Sequence, residues 1–227
     1  LNPSVNSAGM GNVGIANAEV KNVFHNPAFA GLRESHQEVS YVEWLPNLTD
    51  DMGYQSILIT SDMGWSSEIF YFNYGTQVQS DQYGVVLGDF ESSSYRISGG
   101  YGFGFNDWLV GARLNLYSHN FIDDYSIDMN YGFDIGAYKE FGNTSLGLVL
   151  KDVGGETEFL SQKLNLPMSV GVGVGHKFGN FTLASDVKFY EDYNSIGLGG
   201  QYDLGIASLK LGYYTESEFD VDYLTFG

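Results

Sequence analysis

Leu166 to Tyr190 reads LPMSVGVGVGHKFGNFTLASDVKFY, and this stretch restricts the fold more than any other. Side chains alternate across an extended chain, so Met168, Val170, Val172 and Val174 share one face and Ser169, Gly171, Gly173 and Gly175 the other. Gly179-Asn180 supplies a two-residue reversal, because both residue types tolerate positive φ. On the return, Phe181, Leu183, Val187 and Phe189 oppose Thr182, Ala184, Asp186 and Lys188. A hairpin with one apolar face and one small or polar face belongs either to a sandwich or to a membrane barrel.

The same alternation starts at His36 and predicts strands over 37–46, 52–61, 65–78, 92–104, 108–120, 127–141, 144–153, 166–178, 181–190, 194–204 and 207–215, with another beginning at Tyr223. Every second connection is tight, as at Asn106-Asp107, Gly142-Asn143 and Gly179-Asn180, while 79–91, 121–126, 154–165 and 216–222 are longer. In an up-and-down meander alternate connections share a rim, so one rim carries turns and the other loops, as in outer-membrane barrels. Strands of about ten to thirteen residues exceed the usual five or six and suit a tilted bilayer crossing. Trp65, Phe105, Trp108, Phe141, Phe178 and Phe181 flank the tight rim, where a membrane aromatic girdle would sit. These features favour the barrel. A basic side chain on its lipid face costs about 2–4 kcal/mol at the midplane. Parity instead turns Arg96, Arg113, Asp128, Asp134, Lys151, Asp186 and Lys188 towards the lumen.

Residues 1–35 differ: they are rich in small residues, lack alternation and carry Asn-Pro twice. Gly9-Met-Gly11-Asn-Val-Gly14 fits the dinucleotide fingerprint in form, but no strand precedes it and no βαβ unit follows. Short helical turns ended by Asn26-Pro27 are expected, forming a plug inside the barrel, with 36–227 as its wall.

Chemistry is sparse. With no cysteine there is no thiol nucleophile, and the four histidines (25, 36, 119, 176) lack metal-ligand spacing. Neither a Gly-x-Ser-x-Gly elbow nor a paired-acid constellation appears, so no catalytic residue, metal or cofactor is expected. A net charge of −18 disfavours nucleic acid. Acid gathers at the long-loop rim, in Asp89, Glu91, Asp123, Asp124, Glu156, Glu158, Glu216 and Glu218. It reads as a solvated outer surface, or as a contact for a basic partner or for cations bridging to lipopolysaccharide.

These motifs resemble the PorV/PorQ family of outer-membrane barrels, relatives of the FadL long-chain fatty-acid transporters. The resemblance rests on SAGMGNVGIANAEVKNVFHNPAFAGL, EVSYVEWL, the stretch from Phe72 to Tyr101, Phe133-Asp134-Ile135-Gly136, LVLKDVG and LPMSVGVGVGH, and lies closer to PorQ. It implies an all-β, up-and-down antiparallel barrel of about fourteen strands, with Asn26, Pro27 and Ala28 as the plug motif. The end at Leu224-Thr-Phe-Gly227, within a strand, implies missing C-terminal strands. It also implies an integral outer-membrane protein whose signal peptide has been removed, in contact with lipid and lipopolysaccharide. Its role would be to anchor or shuttle protein components of type IX secretion. The FadL kinship implies the alternative, passage of a hydrophobic ligand. Few large apolar residues other than Tyr117 and Tyr138 point inward by parity, which favours the anchor.

Overall fold

The computed structural model describes residues 4–44, 51–122, 125–159, 162–218 and 221–227, with backbone alone over 121–122, 125–128, 156–159 and 162–164. A short helix α1 (Val5–Ala8) and two 3-10 segments, Val20–Asn22 and Pro27–Leu32, precede the strands. These are β1 (His36–Glu43), β2 (Met52–Thr60), β3 (Trp65–Ser80), β4 (Val86–Phe105), β5 (Trp108–Ile122), β6 (Tyr125–Phe141) and β7 (Thr144–Gly154). There follow β8 (Glu156–Phe159), β9 (Gln162–Asn165), β10 (Ser169–Phe178), β11 (Phe181–Phe189), β12 (Asn194–Asp203), β13 (Ser208–Glu216) and β14 (Val221–Phe226). Twelve form one antiparallel up-and-down sheet, each pairing with the next, with β10 following β7; β8 and β9 pair apart from it. Among the described residues no ladder joins β1 to β14.

Two connections differ from expectation. Segment 79–91 is not an open loop, because β3 and β4 continue to pair from Thr76↔Glu91 up to Ser80↔Val86. At about 3.3 Å per residue, the twenty residues of β4 far exceed the 9–11 needed to cross a bilayer. The β3–β4 hairpin therefore rises beyond its neighbours as an arm. Asp89 and Glu91 lie on this strand rather than in a loop. Likewise 154–165 contains the β8–β9 hairpin, to which Glu156 belongs.

The sheet is apolar outside and polar within. On β10 Val170 and Val174 are exposed while Ser169, Gly171, Gly173 and Gly175 are buried, and on β5 Leu114 is exposed beside buried Arg113 and Asn115. Trp65, Phe105, Phe141 and Phe178 are exposed at the tight-turn rim.

The interior is filled by the N-terminal segment. Phe29, Met10, Ile15, Val13 and Val23, the largest fully buried apolar side chains, all belong to it. Burying each contributes about 1.5–3 kcal/mol. It lies on wall glycines at backbone distance. A Cβ on Gly199 would stand 2.5 Å from Met10 O, and one on Gly173 would stand 2.8 Å from Ala16 N. Pro27 O lies over Gly111, Ile15 O over Gly147 and Gly11 O over Gly197 in the same way. Asn26 fixes the path: its Oδ1 accepts the Ala28 N–H at 3.1 Å, and its Nδ2 donates to Ile15 O at 2.9 Å and Ala137 O at 3.2 Å. One side chain thus caps the Pro27–Leu32 turn, ties it to an earlier part of the segment and bonds it to the wall.

Gly147→Val should therefore force Ile15 off β7 and destabilise the protein by about 2 kcal/mol, the typical cost of overpacking. Gly99→Ala, whose Cβ meets nothing within 4 Å, is the neutral control. Limited proteolysis in detergent checks this: residues 4–33 should become cleavable in the first variant and stay protected in the second.

Candidate functional site

Above the N-terminal segment the interior opens into a cavity of about 720 Å³. Phe24 and His25 help to form its floor, and Trp44, Tyr190, Tyr193, Glu216 and Val221 line it on the side of the longer connections. A concavity of similar size, about 750 Å³, lies on the outer face of β10–β13 among Val174, Leu183, Leu198 and Leu211. It is continuous with the apolar belt and has little polar lining.

A charge layer underlies the cavity. Glu68 Oε2 accepts from Arg96 Nη2 at 3.2 Å and from Arg113 Nη2, and Arg113 Nε donates to Asn115 Oδ1 at 3.0 Å. The Phe24 ring sits within this group: Arg96 Cζ is 4.4 Å from its centroid, Arg113 Cζ 5.4 Å and Lys151 Nζ 3.9 Å. Each such contact is worth about 0.5–2 kcal/mol, most where water is excluded. Lys151 Nζ also donates to Phe24 O at 3.1 Å. Asp134 Oδ1 accepts the N–H of Asp152 at 2.9 Å, where β7 bulges and Asp152 takes φ 56°. Asp152 in turn accepts from Tyr117 OH. Asp186 Oδ2 accepts the N–H groups of Gly14 at 2.7 Å and Ile15 at 2.9 Å, so two wall charges hold N-terminal backbone directly.

Arg96, Arg113, Asp134, Lys151, Asp186 and Lys188 are thus all on the inner side, four of them in contact with the N-terminal segment. The side chains of Asp128, Glu156 and Glu158, and the whole of Asp123 and Asp124, lie outside the described residues. Asp89, Glu91 and Glu218 are exposed. Glu216 ends β13 beside the long 216–222 connection, accepts from Tyr214 OH at 2.7 Å and lines the cavity. Among the described residues no group of His, Cys, Asp and Glu could hold a metal.

Sequence parity passed over Glu68 and the inward apolar cluster. In WSSEIFYF both faces of β3 carry aromatics, so alternation alone does not mark the inner one. Tyr54, Phe70 and Phe72 are buried together, with ring centroids 5.4 Å apart for Tyr54–Phe70, and Val42, Met52 and Tyr74 pack around them. The expectation of few large inward residues beyond Tyr117 and Tyr138 is therefore corrected. Large apolar and aromatic side chains cover the inner face of β2 and β3.

No protein-family model and no curated protein sequence matches the chain. Solved structures match its fold. The Ralstonia pickettii toluene transporter TbuX aligns over 97% of this chain and 87% of its own, with a TM-score of 0.61 and 14% identity. The TodX deltaS2S3 mutant monoaromatic hydrocarbon channel aligns over 93% and 82%, with 0.64 and 12%. A Pseudomonas aeruginosa FadL homologue aligns over 92% and 79%, with 0.58 and 10%. The fold is therefore a FadL-like β-barrel.

Two outcomes follow from the charge layer. Glu68→Gln leaves Arg96 and Arg113 without their shared carboxylate and should cost about 3–5 kcal/mol, read from urea unfolding of the detergent-solubilised barrel by tryptophan fluorescence. His25 is buried, its Nε2 lying 2.8 Å from Ser7 Oγ. Burial, then Lys188, Lys151 and Arg113, holds its pKa well below the usual 6.5. A depressed folded-state pKa means the unfolded chain takes up a proton first. The stability is thus complete above pH 6.5 and is lost as pH falls through 6.5 towards the folded value. Hydrogen exchange of residues 4–33 should quicken over that range, and the acceleration should vanish in His25→Gln.

Proposed function

We propose that the chain is a non-enzymatic outer-membrane channel that admits small hydrophobic molecules to its lumen, with the N-terminal segment as its plug. The aromatic-lined cavity above that segment carries the reading. A barrel that only presented its rim to a partner would need no such space. The apolar belt and the aromatic rim support a bilayer location. The fold likeness to a toluene transporter and a monoaromatic hydrocarbon channel supports the ligand class.

The secretion-anchor reading drew on a scarcity of inward apolar residues, and the Tyr54–Phe70–Phe72 cluster removes that premise. What still favours it is acid on exposed projecting elements, Asp89 and Glu91 on the β3–β4 arm and Glu218 beyond β13, where a basic partner could be steered in.

The two readings separate in one experiment on barrel purified in detergent. N-phenylnaphthylamine should show saturable fluorescence enhancement that toluene displaces. Tyr54→Ala should weaken it about tenfold, or ~1.4 kcal/mol. Absence of saturable binding, together with stoichiometric protein partners in a native pull-down, would establish the anchor instead.

A further inference from the structure

The cavity is not uniformly greasy, and its polarity indicates a narrower ligand class. Its walls are mainly phenolic: Tyr54, Tyr117, Tyr190, Tyr193, Tyr214 and Tyr223 all line it. Tyr190 and Tyr193 stack with centroids 4.2 Å apart and planes 11° apart, and Tyr214 and Tyr223 lie at 5.1 Å. Flat faces of this kind favour offset or edge contacts with another ring, worth about 0.5–1.5 kcal/mol beyond the area buried. A flexible alkyl chain gains only the area.

Towards the plug the lining turns cationic, with Arg96, Lys151 and Lys188. Each of the buried carboxylates below holds a partner through one oxygen, although Asp186 Oδ1 has none. Glu68 serves Arg96 and Arg113, Asp134 accepts from Asp152 N–H, and Asp186 Oδ2 holds the Gly14 and Ile15 N–H groups. Lys151 makes one hydrogen bond, to a carbonyl. Lys188 feels Asp186 through space, but among the described residues its Nζ has neither a hydrogen-bond acceptor nor an ion-pair partner within 4 Å. Arg96 Nε is likewise unpartnered, and sealed from solvent. The carboxylates that line the cavity itself hold tyrosine hydroxyls: Asp152, which also attracts Lys151 through space, accepts from Tyr117 OH, and Glu216 accepts from Tyr214 OH at the mouth.

We propose that the cavity binds an aromatic anion, with its ring against the tyrosine walls and a carboxylate head at Lys188, Lys151 and Arg96. Resting on the channel reading, this narrows the ligand from a neutral hydrocarbon to an aromatic acid. An anion supplies the acceptor that Lys188 lacks, in surroundings where a charge-assisted hydrogen bond is roughly twice as strong as a neutral one. A neutral hydrocarbon would leave that ammonium with only the through-space attraction of Asp186.

Calorimetric titration of the whole detergent-solubilised chain tests this with four probes of similar size: benzoate, methyl benzoate, toluene and octanoate. Benzoate should bind at least tenfold tighter than methyl benzoate or toluene at low salt, and tighter than octanoate. Its advantage should shrink as ionic strength rises. Lys188→Met should reduce benzoate affinity at least tenfold more than toluene affinity, and Lys188→Arg should restore benzoate. If Lys188→Met does not fold, the comparison of benzoate with its methyl ester in the unsubstituted protein decides alone. Toluene or methyl benzoate binding as tightly as benzoate would overturn the anion while leaving the channel standing. Octanoate matching benzoate would overturn the aromatic preference. Failure of all four to bind would remove the channel reading itself.

Discussion

Everything in this molecule depends on backbone meeting backbone at the inner wall. The sheet turns many of its apolar side chains outward, so it has little with which to build its own core. Here the N-terminal segment supplies that core in Met10, Val13, Ile15, Val23 and Phe29, and the wall receives it largely by presenting glycine where the backbones approach. Glycine within a strand weakens the strand. That cost is met by close contact of Ile15 and Ala16 with Gly147, Gly171, Gly173 and Gly175.

Where the segment stops, the wall changes character. Below, the sheet offers glycine and small polar groups; above, it offers tyrosine, and between the two lie Arg96, Arg113, Lys151 and Lys188 with their carboxylates. Arg96, Arg113 and Lys151 are tolerable there because they are hydrogen-bonded to Glu68 or to N-terminal backbone and are stacked on Phe24, whereas Lys188 has only the through-space attraction of Asp186. Phe24 is the hinge of this arrangement. Its ring and its carbonyl both meet Lys151, so the height of the N-terminal segment and the floor of the cavity are set by the same residue.

Much of this was legible in the sequence, and the exceptions have physical causes. Strict alternation with small residues on one face, as in MSVGVGVGH, fixes which side faces outward, because a slip of one residue would exchange the faces. The meander and its tight turns follow from the Gly-Asn and Asn-Asp pairs. Alternation fails at β3, where aromatics occupy both faces and hide the inner Glu68, Phe70 and Phe72. It also fails at 79–91, where Asp81 to Gly84 make the turn but the flanks keep pairing as an arm, and a run of polar residues looks the same in a loop or a solvated ribbon. Phe24 and His25 gave no signal at all, since their roles come from wall residues from about seventy to over a hundred and sixty positions distant.

The Gly11 N–H donates to Thr225 Oγ1, and Asn12 donates to Tyr223 OH, across 214 and 211 residues of chain. Such separations weigh on folding kinetics, because the entropy of closing the intervening chain is lost before the contacts form. Neither can a tightly seated segment be threaded into a finished wall whose glycines leave it no clearance. The contacts instead suit strands that curl around the N-terminal segment as they pair, so that β12 to β14 close on residues far earlier in the chain. The N-terminal segment is then an assembly mandrel as well as the core, and a barrel that closed without it would be left with a polar, glycine-lined hollow.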